Sequence, residues 1–115
     1  MKTIIAGGRH HKFSQADRDA LDAFHRNHQV TEVVSGGASG ADAEGETWAK
    51  AHGIPIKRFP ADWNTHGRAA GPIRNKQMAE YADAVVLFPG GRGTASMKSL
   101  AHTYGLNPIR EVHNP

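Results

Sequence analysis

The residues best suited to chemistry in this 115-residue chain are PGGRGT at positions 89–94. Glycines let a backbone approach a ligand closely and turn several amide N–H groups toward it. A helix beginning there would add about half a positive charge, and Thr94 adds a hydroxyl. Gly90, Gly91, Arg92, Gly93 and Thr94 together suit a phosphate or a carboxylate. The same residues also make a tight strand-to-helix turn that needs no ligand. The segment is neither a Walker loop, since no Gly-Lys-Ser/Thr follows, nor the GxGxxG dinucleotide fingerprint.

Two other glycine clusters share this character. AGGRHH (6–11) sets Arg9 beside Gly7 and Gly8, where a guanidinium either grips a phosphate in bidentate fashion or stays solvated. GGASGAD (36–42) brings Gly36, Gly37, Ser39 and Gly40 up to Asp42. That carboxylate suits a ribose hydroxyl, or it complements a helix dipole. The stretch 62–75 concentrates Trp63, His66, Arg68, Arg74 and Asn75. Trp63 and His66 offer stacking surfaces for a base, with a core cover over a strand as the other role for Trp63. A cation in the first turn of a helix, as expected for Arg74, is unfavourable unless an anion lies nearby.

Other chemistries are poorly supported. The chain has 8 histidines, but His25 and His28 share a helix face without a carboxylate to complete a ligand set, and HExxH is absent, so no metal is expected. Cysteine is absent, which removes thiolate ligands, disulfides and a cysteine nucleophile. No Ser-His-Asp or GxSxG arrangement can be read.

The elements that must position these residues follow from periodicity. Residues 2–6 form a β-branched apolar run halted by Gly7-Gly8, hence a strand. Ser14 opens a helix to about residue 27, with Asp17 in a capping-box position and Ala20, Leu21, Phe24 and His28 along one face. Strands are expected at 31–35, 54–59, 84–88 and 108–112, the fourth without alternation because both its faces are covered. Helices are expected from Ser39 or Asp42 to Gly53 with Trp48 in the core, from Pro72 to about 81, and from Gly93-Thr94 to about 104. Between them, residues 60–71 read as a long functional loop.

This alternation predicts an α/β protein: one domain with a doubly wound, parallel, five-stranded sheet of order 3-2-1-4-5 and helices on both faces. Ligands in such sheets bind beyond the carboxyl ends of the strands at the switch point, here between the first and fourth strands. All three glycine clusters directly follow strands, so they meet on that edge. Of the 13 glycines, 8 fall in these clusters, which is a placement unlike that of a linker.

Composition narrows the function classes. With 38% hydrophobic and 22% charged residues the chain reads as a soluble globular domain. Its 14 basic residues give a formal charge of +3 but form no stripe, so nucleic acid is not an expected partner. Only four apolar residues precede Gly7, too few for a signal peptide, and no apolar run approaches the roughly 20 residues of a membrane span. A cysteine-free protein of a reducing, cytoplasmic compartment is expected.

With AGGR (6–9), GGASGAD (36–42), FPADW (59–63), HGRAAGPIRN (66–75) and FPGGRGT (88–94), the chain resembles the SLOG superfamily over nearly its whole length. This Rossmann-like group includes Lonely Guy phosphoribohydrolases and DprA/Smf-type proteins, and the resemblance is nearest to its compact YspA-like branch. Lonely Guy enzymes hydrolyse the N-glycosidic bond of a nucleoside 5′-monophosphate with an RKxxM element and then PGGxGTxxE, whose glycine loop holds the phosphate. Arg74, Asn75 and Met78 match the first element except that asparagine replaces lysine, and Asp83 and residues 89–94 follow at matching spacing. Ala95, Ser96 and Met97 end the second element, so Met97 stands at the catalytic glutamate. A thioether neither ionises nor accepts a proton.

The resemblance therefore implies a kept pocket and a lost hydrolytic residue. The expected function is a sensor or carrier that binds a nucleotide or a nucleotide derivative such as an ADP-ribose-like ligand, without a further cofactor. The alternative is an N-glycosidase or nucleotide hydrolase that uses Asp42, Glu44 or Asp62 as its acid. Relatives resembling this chain commonly pair through helices, which implies a homodimer or higher homo-oligomer.

Overall fold

Alternate residues of the innermost strand point to opposite faces of the sheet, and both faces are apolar. In the computed structural model, which describes residues 1–113, β1 (Lys2–Ala6) sends Ile5 into one core and Ile4 into another. β1 pairs in parallel with β2 (Glu32–Ser35) and with β4 (Ala84–Leu87), so that Ile4 lies opposite both Val34 and Val85. β3 (Ile56–Arg58) and β5 (Ile109–Glu111) complete the sheet in the order β3-β2-β1-β4-β5. All pairings are parallel, as the alternation of strands and helices requires.

On one face, α1 (Gln15–His28) and α2 (Ala41–Ala51) bury Leu21, Phe24 and Trp48 against Ile5, Val33 and Val86. On the other, α4 (Ala70–Tyr81) and α5 (Arg92–Thr103) bury Met78 and Met97 against Ile4, Val34 and Leu87. Each such side chain removed from water contributes about 1.5–3 kcal/mol. Gly45 lets α2 settle onto β1: a Cβ there would lie 2.7 Å from Cγ2 of Ile5. The capping box of α1 forms as its sequence predicts, with the Asp17 amide donating to Ser14 Oγ at 3.1 Å and the Ser14 amide to Asp17 Oδ2 at 3.1 Å.

The stretch 60–71 departs from the expected loop. A short helix, α3 (Trp63–His66), and a 3-10 turn (Gly67–Ala69) fill it, and α4 starts at Ala70 rather than Pro72. Asp62 nucleates α3 by accepting the Thr65 amide at 3.1 Å. Proline is tolerated at the third position of α4 because the first-turn N–H groups have no intrahelical acceptor. α5 likewise begins at Arg92, before the expected Gly93-Thr94. β3 and β5 are each shorter than expected. No helix among the described residues is long and apolar enough to cross a membrane.

Candidate functional site

The carboxyl ends of β1, β2 and β4 meet around a cleft of about 590 Å³. The three glycine clusters are laced together at its edge by main-chain hydrogen bonds. The Gly8 amide donates to the Pro89 carbonyl at 2.9 Å, and the Ala41 amide at the start of α2 donates to the Gly8 carbonyl at 3.1 Å. Gly90 and Gly40 serve this lacing. A Cβ on Gly90 would sit 2.6 Å from the Gly8 nitrogen, and one on Gly40 would strike the backbone of Gly8 and Arg9.

The turns and helices then contribute lining residues in chain order. Gly7, Gly8 and Arg9 follow β1, and Gly36 and Asp42 follow β2. Trp63 comes from α3, Arg68 from the 3-10 turn, and Arg74 and Asn75 from α4. Gly91, Arg92, Gly93 and Thr94 close the cleft from the β4 side, over a floor that includes Met78 and Met97. Gly37 and Ser39 line an adjoining cavity of about 570 Å³. His66, Glu44 and Asp62 line neither of these cavities. Glu44 instead accepts the Phe13 amide at 3.2 Å, and Asp62 is the exposed cap of α3, where the bonds from Thr65 hold its carboxyl below the usual range. Trp63 is half exposed rather than a core cover.

Arg74 is the most constrained of the cations. Its Nη1 donates to the Gly36 carbonyl at 2.7 Å and its Nε to Asn75 Oδ1 at 3.0 Å. Because α4 starts at Ala70, Arg74 lies past the first turn, not in it as the sequence suggests, and the Gly36 carbonyl holds its guanidinium. The first-turn cation facing the cleft is Arg92 of α5, a turn without an acidic residue. The N-termini of α2, α4 and α5 receive no side-chain cap, whereas α1 has a complete one.

Four arginines, Arg9, Arg68, Arg74 and Arg92, thus line a cleft whose one acidic lining residue is Asp42. Among the described residues, none of the four lies within 4.0 Å of a carboxylate oxygen. Asp42 accepts the Ala38 amide at 3.2 Å. Burial pushes its carboxyl above the usual range, against the pull of that amide and of Arg74. Burial in turn pushes the Arg74 guanidinium downward, opposed by Asp42 and reinforced by Arg9. No cluster of metal-ligating side chains forms among the described residues.

Sequence reasoning missed Ala6, Ala38, Gly71, Pro72 and Ser96 in the cleft, along with Arg58, Pro60 and Ala61 in the adjoining cavity. Ala6, Ala38, Pro60, Ala61, Gly71 and Pro72 lie inside the sequence motifs but carry no polar group to single them out, whereas Ser96 and Arg58 lie outside those motifs.

A parallel sheet of order 3-2-1-4-5, with glycine-rich turns at its switch point, defines a Rossmann-like α/β protein. The chain belongs to the YspA, cpYpsA-related SLOG family, whose sequence model matches residues 1–66, from β1 into α3. It is similar to the Gene 61 protein of Mycobacterium phage D29, with 35% identity over 102 residues that cover 83% of this chain and 82% of the phage protein. No solved structure matches the chain.

Proposed function

We propose that the protein binds a nucleotide or nucleotide derivative in the cleft, as a sensor or carrier rather than a hydrolase. The observation that carries this reading is the bareness of Gly91 and Gly93. Gly91 has φ −98°, and a Cβ added to either residue would meet nothing within 4 Å. No packing contact calls for glycine there, and both residues line the cleft at the uncapped start of α5. A side chain at either position would keep an anion away from the helix amides, so their absence suits a phosphate. The four arginines without carboxylate partners supply charge of the right sign.

Met97 supports binding over cleavage. It is buried in the floor with Met78 and Leu87, at the position where Lonely Guy enzymes carry their glutamate. The hydrolase alternative draws support from Asp42, whose carboxyl is shifted upward by burial, the direction a general acid requires. Native mass spectrometry of the purified protein and a thermal-shift panel of nucleotides test binding, and chromatography of nucleoside monophosphates after incubation tests base release. A ligand-induced rise in Tm without base release supports the binder. Rapid base release assigns the protein to the hydrolases.

Self-association belongs to the same reading. Ile73 of α4 and Tyr104 at the end of α5 are exposed, on helices that lie side by side. Light scattering at high micromolar concentration should give a mass above 12.4 kDa, and a monomer there refutes it.

A further inference from the structure

One wall of the cleft is built unlike the others. Residues 62–69, which hold α3 and the 3-10 turn, are all exposed, the longest such run among the described residues. Helices α2, α4 and α5 each bury at least two residues, whereas α3 and the turn bury none. The hydrogen bonds that shape this segment are its own. The Thr65 amide donates to Asp62 Oδ1 at 3.1 Å, the His66 amide to the Asp62 carbonyl at 3.0 Å, and the Gly67 amide to the Trp63 carbonyl. Among the described residues, no side-chain hydrogen bond or ion pair ties residues 62–69 to the rest of the fold. The Trp63 ring rests on α4 at its smallest residue: a Cβ on Gly71 would lie 3.6 Å from Trp63 Cη2, an ordinary van der Waals contact. A backbone stretch held by local bonds, with no buried side chain, lies at the low end of local stability.

This loosely held segment nevertheless carries Trp63 and Arg68 to the rim of the cleft. Trp63 is 51% exposed and also lines the adjoining cavity. So much indole left in water is apolar surface that a ligand ring would cover. We infer that residues 62–69 form a lid that closes over an occupied cleft. This rests on the nucleotide-binding reading and adds to it an order of events. The ligand enters while the segment stands open, and the segment then folds down, with Trp63 on the base and Arg68 on the phosphate. Gly67, at φ +54° and ψ −131°, is the bend that lets α3, with Trp63, turn against the 3-10 turn, with Arg68. Hinges of this kind sit at the ends of elements, where one or two residues absorb the change. Closure of such a segment sequesters the ligand and slows its release.

Hydrogen–deuterium exchange of the full chain, alone and with AMP, GMP or ADP-ribose, tests this, with calorimetry to show which of them binds. Alone, the amides of residues 63–69 should exchange faster than those of α4 and α5. With a bound ligand they should slow roughly 5- to 150-fold, the span of an ordinary coupling between binding and a conformational change. Stopped-flow fluorescence separates a lid from a fixed stacking platform. The chain has 2 tryptophans, and Trp48 is buried, so a ligand-dependent change that Trp63→Phe abolishes reports on the segment. A lid gives a second phase whose rate levels off as ligand concentration rises. A single phase that rises linearly with concentration overturns the lid and leaves the nucleotide reading standing. So does exchange in 63–69 that a bound ligand leaves unaltered, or that is already as slow as in α4 without one. Binding of none of the three overturns both.

Discussion

The carbonyl oxygen of Gly36 accepts a 2.7 Å hydrogen bond from Nη1 of Arg74, 38 residues further along the chain. That contact ties the end of β2 to α4 and holds a guanidinium at the centre of the cleft. It depends on the missing side chain: a Cβ on Gly36 would stand 2.5 Å from Arg74 Nη1 and 2.9 Å from Asp42 Oδ2. Gly36→Ala should therefore fold, since a flexible side-chain end can give way, but with Arg74 displaced. Nucleotide affinity should fall roughly 10-fold or more while Tm changes little, as read by paired calorimetry and thermal melts.

Removing the guanidinium itself is the more direct test. Arg74→Ala should cost about 1.5–3 kcal/mol of binding to any phosphorylated ligand, roughly 10- to 150-fold. Unchanged titration curves would dissociate Arg74 from the phosphate.

Gly91→Val separates ligand approach from folding. The backbone at Gly91 lies at negative φ, and its Cβ direction is open, so circular dichroism should show the parent's fold. Binding should be abolished, because the new side chain stands over the amides at the start of α5. Retained affinity would move the phosphate away from this turn.

Met97→Glu restores a carboxylate at the position that resembles the Lonely Guy catalytic site. Its neighbours Met78, Leu87 and Ala101 are apolar, so the new carboxyl should be shifted upward and Tm should fall. Slow base release from a nucleoside monophosphate is the expected gain, measured against a wild type that releases none.

Acid stability should report on Glu46. Its carboxylate accepts Ser35 Oγ at 2.7 Å and the Arg58 guanidinium, and these partners, Arg58 foremost, hold it below its ordinary value of 4.5. A lowered pKa means that the unfolded chain takes up the proton first. The stabilisation is thus present above pH 4.5 and is lost as pH falls through the folded-state value. Glu46→Gln should flatten this part of the Tm–pH curve. Asp42 has the opposite sign: raised by burial, its contribution is present below the ordinary 3.8 and lost as pH rises through its folded value, so Asp42→Asn should raise Tm near neutral pH.

Much of this architecture can be read without coordinates, because strands and helices are encoded in short-range periodicity and the glycine clusters mark strand ends. The unbroken apolar run 84–87 and the capping box at Ser14 follow from patterns a few residues long, and the order of the sheet follows from the succession of strands and helices. That the clusters share one edge is a consequence of right-handed parallel crossovers. The short helix at Trp63 and the true start of α4 are not legible in this way, since a four-residue helix has no periodicity to display.

Sequence also treats all the clustered glycines alike. Only the tertiary structure separates Gly40 and Gly90, where a methyl group would strike the neighbouring turn, from Gly91 and Gly93, where it would strike nothing. It likewise decides among the carboxylates, keeping Asp42 in the cleft and leaving Glu44 and Asp62 to hold backbone amides outside it. The physical reason is one of range. Propensity and capping act within a turn or two, whereas who faces a cleft depends on distances between segments dozens of residues apart, set by packing on the sheet.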